Sequence, residues 1–309
     1  MKKPIKLSPV LKSIIWGGTR LSTEYNKGNR GDKIAESWEL TSRTDGDNVI
    51  VGGEYDGVKF SDYLKENPDA VCKDYNGERF PLLIKLIDAE ADLSIQVHPD
   101  DAYAAAHTTD LGKTEMWYIV DAKEGAHIIY GMKDRYDREQ IKSAIENGTL
   151  ETLMNYVPVK KGETYFIPSG TVHAICGGLL IAEIQQNSNI TYRVYDYNRR
   201  QPDGSLRQLH IDDALNVIET VDPSSVPVTS GGEAIAKCRY FTVKKYSCKK
   251  EICADESSFV HLLCVDGNAY IEYGGERCGL SLGESIFVPA GYGKFTVFAD
   301  GATVLATTL

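Results

Sequence analysis

Three features are scarce in this 309-residue sequence: paired cysteines, long apolar runs and positive charge. The seven cysteines are an odd number and no two are spaced as CxxC, so they do not predict a secreted disulfide framework. The lysines near the start have no apolar stretch behind them, and no run reaches the length of a membrane span. We therefore expect a cytoplasmic protein without a membrane partner.

The charge balance excludes another class of partner. There are 44 acidic residues against 34 basic ones, which gives a formal net charge of −10. Nucleic acid is therefore not an expected partner. A small anionic substrate is compatible with this balance if a few cations are concentrated at one site. The length is sufficient for two domains with substantial cores.

A five-residue segment in the first half of the chain alternates polar and apolar side chains, as in a strand with one polar face. Ser94, Gln96 and His98 fall on that face. Lys113 and Glu115 repeat the two-residue spacing directly before an apolar run that predicts a strand packed on both faces. An imidazole, an amide oxygen and a carboxylate suit a divalent ion, and His together with a carboxylate makes zinc a candidate.

A third segment, residues 162–173, supplies another imidazole. It contains the spacing G-x5-P-x-G-x2-H, which resembles the second sequence signature of cupin barrels and ends at His173. The first cupin signature normally has His-x-His followed by Glu. Here it reads Gln96-x-His98 with Glu115 downstream.

That replacement resembles the metal site of class I mannose-6-phosphate isomerases, in their short bacterial form. The stretches IWGG, AESWEL, QVHPDDAYA and GKTEMWYI occur in the order found in that family, and the similarity runs from Leu7 to about Asp222. The resemblance implies one Zn²⁺ per chain, and the implied ligands are Gln96, His98, Glu115 and His173. It also implies aldose-ketose isomerisation of mannose 6-phosphate and fructose 6-phosphate through a cis-enediol or enediolate.

The family carries an essential arginine at the position of Arg193, so the resemblance implies that Arg193 stabilises the enediolate or contacts the phosphate. Many relatives have Asp-Asn-Val before this arginine, whereas Asn189-Ile190-Thr191 stands here. This difference leaves Glu183 as the carboxylate to test as the proton-transfer base.

Candidate substrate-binding residues are Lys85, Ser94, Lys113 and Arg193, and Lys113 is also a catalytic candidate. Lys85 interrupts an almost wholly apolar strand, residues 81–87. Such a lysine either extends to the sheet edge or faces a polar lumen, and the sequence alone leaves both open. The resemblance favours the active site. The sequence alone does not distinguish among Lys85, Lys113 and Arg193 as the cation that holds the phosphate.

The pattern as a whole predicts a mainly β bicupin, with two β-barrel or jelly-roll domains. Residues 1–230 would form the catalytic cupin, with a helical insert near 133–156, and residues 231–309 a degenerate cupin in which Lys294 replaces the histidine. Asp137 with Gln140 predicts a capping box for the inserted helix. Further predictions are a helix over 61–67 with Ser61 as N-cap, a strand over 174–185, a helix over 211–219 and a linker over 222–232.

Several residues have simpler interpretations. His98 could merely end a strand before an N-capped helix, and Cys176 is expected to be a buried apolar residue rather than a ligand. His107, His127, His210 and His261 are expected to be at the surface or structural. Asp45 and Asp47 around Gly46 predict a hairpin turn, and Tyr195 either packs or lines the pocket.

Other functions are also compatible with the sequence. The chain could be a non-catalytic metal-bound cupin that binds sugar, or another cupin isomerase or epimerase. A metal-dependent oxygenase fits less well, since such enzymes usually hold iron with several histidines. The expected partner is a small sugar phosphate, and the chain would be a monomer or a homodimer.

Overall fold

The computed structural model describes residues 2–77, 79–201, 203–220 and 233–309. These residues form two antiparallel β-barrels with few helices, which confirms the predicted bicupin architecture. None of the helices among them is long and apolar enough to cross a membrane.

The first barrel is built from a six-stranded and a five-stranded sheet. Across the six-stranded sheet the order is Thr164–Ile167 (β12), Glu115–Ala122 (β9), Leu179–Gln186 (β14), Leu82–Ala89 (β7), Glu36–Leu40 (β3) and Val10–Lys12 (β2). Across the five-stranded sheet it is Met154–Pro158 (β11), His127–Met132 (β10), His173–Ile175 (β13), Ile95–Val97 (β8) and Tyr192–Tyr195 (β15). Trp117 and Ile181 of one sheet pack with Ile128 and Ile175 of the other in a single apolar core.

The second barrel pairs a seven-stranded with a four-stranded sheet. The larger sheet has the order Ala234–Lys237 (β16), Thr242–Tyr246 (β17), Thr303–Thr308 (β24), Val260–Asp266 (β19), Ser285–Val288 (β22), Ile5–Ser8 (β1) and Val49–Val51 (β6). The smaller has the order Lys250–Ala254 (β18), Gly293–Phe298 (β23), Ala269–Tyr273 (β20) and Glu276–Leu280 (β21). Because β1 and β6 belong to this sheet, strands from both ends of the chain build it. The domain division into 1–230 and 231–309 remains a prediction.

The two barrels pack face to face through a third layer of apolar side chains. Leu82, Ile84 and Leu86 alternate outwards from β7 and meet Phe241 and Phe287 of the second barrel. The central strands of the six-stranded sheet are therefore covered on both faces, as their unbroken apolar sequence predicted. The residues between these positions along the same strands face the interior of the first barrel.

Five short α-helices lie outside the sheets: Arg20–Thr23 (α1), Phe60–Glu66 (α2), Asp101–His107 (α3), Arg138–Glu146 (α4) and Ile211–Val217 (α5). The capping box of Asp137 and Gln140 at α4 is confirmed, and Gly148 follows that helix with φ +67°. Helices α4 and α5 cover the outer face of the five-stranded sheet, where Ile141 and Leu215 contact the apolar side of β8.

Two sequence predictions are corrected by the fold. Helix α2 begins at Phe60, and Ser61 is not its N-cap; instead the Asp47 carboxylate accepts hydrogen bonds from the Ser61 N–H (3.2 Å) and hydroxyl (2.6 Å). Within the predicted helical insert near 133–156, α4 is followed by a 3₁₀ turn over Leu150–Leu153 and by β11 from Met154. The predicted strand over 174–185 is two strands in different sheets, β13 and β14.

The break in that predicted strand lies at a glycine pair. Gly178 adopts φ +91°, which β-branched and bulky residues avoid, and its N–H donates to the Ala89 carbonyl at 2.7 Å. The chain thereby crosses from the five-stranded to the six-stranded sheet. The predicted linker over 222–232 lies outside the described residues.

Candidate active site

A row of four side chains crosses the interior face of the six-stranded sheet. Antiparallel register pairs Trp117 with Glu183, Glu183 with Lys85, and Lys85 with Trp38. Trp117 Nε1 donates to Glu183 Oε2 at 2.9 Å, and Lys85 Nζ lies 3.3 Å from Glu183 Oε1. Lys85 therefore faces the polar lumen of the barrel, not the sheet edge.

A second row crosses the five-stranded sheet opposite the first. Register pairs His173 with Gln96 and Gln96 with Arg193. The His173 and Trp117 rings meet edge to face, with centroids 5.4 Å apart, so the two rows touch across the lumen. The polar alternation of the sequence thus brings side chains from separate strands to one place.

A buried cluster of possible metal ligands lies where these rows meet. One donor atom each from His98, Glu115 and His173 lies within 4.8 Å of the others. The fourth predicted ligand, Gln96, is adjacent, with its Nε2 3.4 Å from His173 Nε2. No other group of three or more His, Cys, Asp or Glu side chains with this spacing occurs within the described ranges.

Both histidines are arranged as neutral ligands. His173 Nδ1–H donates to the Thr171 carbonyl at 2.8 Å, which leaves Nε2 free to accept or to ligate. Burial lowers the pKa of His173 to about 4. Burial, with a contribution from the charge of Lys113, holds the pKa of His98 well below its usual value. At neutral pH neither ring carries a proton that would compete with a metal ion.

Glu115 is the least satisfied polar group in the cluster. Both of its oxygens are buried and neither accepts a hydrogen bond from the residues described. Lys113 Nζ, 3.0 Å from Oε2, supplies an ion-pair contact, and it also lies 3.1 Å from His98 Nε2. Burial first, and then the charge of Glu183, raises the pKa of Glu115 to about 7. A cation beside this carboxylate would relieve both penalties.

Glu183 experiences the opposite electrostatics. Burial alone would raise its pKa, but the charges of Lys85 and Lys113 outweigh burial and lower it. Lys85 also lies 3.5 Å from Glu36 Oε2. Burial would lower the pKa of Lys85, yet Glu36 and Glu183 together raise it. Glu183 is therefore a carboxylate and Lys85 an ammonium at neutral pH.

A cavity of about 440 Å³ opens above this cluster, within the usual size range of small-molecule sites. Every predicted substrate-binding residue lines it, namely Lys85, Ser94, Lys113 and Arg193. Gln96 and Glu183 line it as well. Residues that the sequence did not single out complete the wall: Lys12, Trp16, Glu36, Trp38, Asp45 and Arg207, among others.

Arg193 points into this cavity from β15. Its Nε is buried and lacks a hydrogen-bond partner among the described residues. The register of β15 against β8 shifts between Arg193 and Tyr195. Tyr195 is absent from the described cavity wall and instead packs against Tyr197, with ring centroids 5.0 Å apart.

Cys176 and Lys294 lie apart from the cluster. Cys176 is buried in an apolar core, and burial raises its thiol pKa to about 12. His98 follows the end of β8 and precedes helix α3, whose N-cap is Asp100, and it also belongs to the cluster of possible ligands. Lys294 ion-pairs with Glu251 on the surface of the second barrel (2.9 Å). The hairpin at Asp45 and Asp47 is confirmed, between Ser42–Arg43 (β4) and Gly46–Asp47 (β5).

Comparison with known proteins agrees with this geometry. Residues 5–143 match the family described as "Phosphomannose isomerase type I, catalytic domain", and residues 233–307 match "Mannose-6-phosphate isomerase, cupin domain". The chain is 36% identical to mannose-6-phosphate isomerase ManA of Bacillus subtilis over 305 residues, 95% of each chain. It is 34% identical to mannose-6-phosphate isomerase of Streptococcus mutans, over 94% of this chain and 93% of that one.

A solved structure extends the likeness to three dimensions. The crystal structure of mannose 6-phosphate isomerase from Bacillus subtilis superposes with a TM-score of 0.90 at 35% identity, covering 100% of both chains. Because the sequence identity and the fold agree over nearly the whole length, the chain belongs to the type I phosphomannose isomerases.

Proposed function

We propose that this protein interconverts mannose 6-phosphate and fructose 6-phosphate with the help of one Zn²⁺ ion per chain. The observation that carries the proposal is the convergence of His98, Glu115 and His173 beside the Glu183–Lys85 pair. The relatives named as mannose-6-phosphate isomerases support the choice of substrate. A sugar phosphate as the small-molecule partner and a cytoplasmic location belong to the same proposal.

The donor set fits a divalent metal ion. Gln96, His98, Glu115 and His173 would hold it, since they offer an amide oxygen, two neutral imidazoles and one carboxylate. The oxygens of Glu115, which accept no hydrogen bond among the described residues, favour a cation at this place. When bound, the ion supplies Lewis-acid polarisation of the substrate oxygens, an effect worth several kcal/mol in comparable sites. With a single anionic ligand the site keeps a net charge near +1.

Glu183 is the proposed proton-transfer base. The reaction removes a proton from C2 of the open-chain aldose and returns it to C1, so one group on one face of the substrate can do both. Glu183 is ionised, lines the cavity, and is held in one orientation by Trp117 and Lys85. At neutral pH it is present as the carboxylate, which is the form that accepts a proton.

Arg193 is proposed to stabilise the negative charge of the enediolate. A preorganised cation at the site of developing charge strengthens its interaction as the reaction proceeds. Lys113 is proposed to act beside the ligands, where its ammonium lies between His98 and Glu115. Lys85 and Ser94 complete the proposed substrate-binding set. Ser94 Oγ lies 3.4 Å from Gln96 Oε1 and so faces the same lumen.

A coupled assay for fructose 6-phosphate tests the proposal. We expect turnover of mannose 6-phosphate that is lost with a chelator and restored by Zn²⁺. A zinc-loaded, folded protein without turnover would contradict the proposal. If that protein still bound mannose 6-phosphate, it would be a sugar-binding cupin. Turnover of another sugar instead would identify a different isomerase or epimerase. Sedimentation of the same sample measures the oligomeric state, monomer or homodimer.

A further inference from the structure

Arg207, which sequence reasoning did not single out, shares the cavity wall with Arg193. The two guanidinium groups are close enough for the charge of Arg207 to contribute to lowering the pKa of Arg193, after the larger effect of burial. Two like charges held together at a partly buried wall repel each other. An anion between them would remove that repulsion.

Asp196 fixes the orientation of Arg207. Arg207 Nε donates to Asp196 Oδ2 at 2.7 Å, and its Nη2 donates to Oδ1. Asp196 is itself buried and also accepts from Arg199 Nη2 at 2.6 Å. The two bonds to Asp196 hold the planar guanidinium at a set angle, and no hydrogen bond to a described residue turns Nη1 away from the cavity.

The distribution of charge around the cavity is uneven. On the six-stranded sheet and the strand leading into it, Lys12, Lys85 and Lys113 stand beside an equal number of carboxylates, Glu36, Glu115 and Glu183. On the opposite side, the wall residues Arg193 and Arg207 and the neighbouring Arg199 are offset by Asp196, a net charge of +2, while the wall carboxylate Asp45 is paired with Arg43 at 2.8 Å. The guanidinium side is therefore the region that attracts a dianion.

We propose that Arg207, oriented by Asp196, binds the phosphoryl group of the substrate, which leaves Arg193 for the enediolate. The assignment rests on the proposed function, because it is the sugar phosphate that brings a dianion to this site. A guanidinium matches phosphate geometry with two parallel N–H···O bonds, which a lysine cannot reproduce. The reacting end of the sugar would then extend towards Gln96 and Glu183.

Arg199 provides a matched control. It shares Asp196 with Arg207, but its Nη1 donates to the Asp92 carbonyl and its guanidinium lies 5.1 Å from the centroid of the Tyr197 ring. It is not among the residues that line the cavity. Its charge and its salt-bridge partner match those of Arg207, so a difference between variants at the two positions reports on the position relative to the cavity.

The test measures binding without turnover. Calorimetry on the zinc-loaded protein would use glucitol 6-phosphate, which has no carbonyl to isomerise, and unphosphorylated glucitol. We expect Arg207→Met to weaken binding of the phosphorylated hexitol by about 10- to 100-fold, as for loss of a charge-assisted hydrogen bond. Binding of glucitol should change less than about threefold. Arg207→Lys should be intermediate, because it restores charge without the fork.

Arg199→Lys should keep glucitol 6-phosphate affinity within about threefold of the wild type, since Arg207 retains both bonds to Asp196. The proposal is overturned if Arg207→Met binds glucitol 6-phosphate normally, or if Arg199→Lys loses as much affinity. Thermal unfolding checks that each variant is folded; if Arg207→Met is not, Arg207→Lys decides. If the wild type binds the hexitol phosphate through Arg207 but lacks isomerase activity, the phosphate site stands and the proposed reaction fails.

Discussion

Two buried glutamates in the same barrel have opposite electrostatic environments. Glu183 receives an indole N–H and stands beside Lys85, whereas neither oxygen of Glu115 accepts a hydrogen bond among the described residues. The pKa of Glu183 is lowered by neighbouring lysines despite burial, and that of Glu115 is raised by burial. This divergence supports the two separate roles proposed above, proton transfer for Glu183 and metal binding for Glu115.

Substitution of His173 and Arg193 should separate metal binding from catalysis. His173→Ala removes a buried donor of the cluster and should lower zinc occupancy, with turnover lost as a result. Arg193→Ala should keep zinc and lower kcat by about 100- to 1,000-fold, as for removal of one preorganised electrostatic group. Elemental analysis and kinetics on the same samples check both.

The unfolding temperature serves as the control for this pair of variants, since a loss of turnover through unfolding would be uninformative. Zinc loss from Arg193→Ala would contradict the separation of roles. So would a His173→Ala variant that retained full zinc occupancy.

At this scale, alternation placed Gln96 with His98 on one strand face and Lys113 with Glu115 on another, because a period of two fixes which side chains share a face. The position of Arg193 came from the family resemblance. Arg207 and Trp38 could not be found by alternation. Arg207 reaches the cavity from the loop after β15, and its orientation depends on Asp196. Trp38 lines the cavity because its strand, β3, pairs with β7 in a register that places it beside Lys85. Such neighbours are set by sheet order, which a local pattern does not contain.

The elements themselves were predicted best where local chemistry decides them. The α4 capping box needs only residues three apart, and it is present as predicted. The start of α2 was wrong because its capping carboxylate, Asp47, lies on the β4–β5 hairpin, far outside the window of a local motif. The break between β13 and β14 was also missed, because the glycine pair at 177–178 lies within an apolar run.

Removal of the Asp47 carboxylate should destabilise the protein through α2. Asp47→Ala leaves the Ser61 N–H and hydroxyl without their acceptor, and we expect the free energy of unfolding to fall by about 1 kcal/mol, as for loss of a capping side chain. Urea denaturation measures the change. Asp62→Ala, which removes an exposed carboxylate from the same helix, is the control and should cause a smaller loss. Equal losses for the two would argue against capping by Asp47.

For the whole molecule, the second barrel supports the first. Its seven-stranded sheet covers the outer face of the strands that carry Lys85, Glu115 and Glu183. A buried polar link joins the barrels within this apolar contact. Lys27 Nζ lies 2.9 Å from Glu39 Oε1 and donates to the Gly283 carbonyl at 2.7 Å. Gly283 lies just before β22 of the second barrel, so this bond links the two barrels.

Removal of Lys27 should make the free energy of unfolding depend more strongly on pH. Burial raises the pKa of Glu39 even with Lys27 beside it, and Lys27→Met removes the main opposing charge. An acid with a raised folded-state pKa favours folding most below its unfolded pKa and loses that contribution as pH rises. In Lys27→Met we therefore expect a loss of about 3–5 kcal/mol at pH 7, as for a buried charge left unpaired, and a smaller loss near the ordinary Glu pKa of 4.5.

Urea unfolding at the two pH values measures this difference, with the double variant Lys27→Met, Glu39→Gln as the control. The amide carries no charge at either pH, so the double variant should recover most of the stability at pH 7 and show little change with pH. An equal loss for Lys27→Met at both pH values would mean that the charge of Glu39 is not what Lys27 balances. A double variant as unstable as Lys27→Met would assign the loss to packing and to the unpaired Gly283 carbonyl instead.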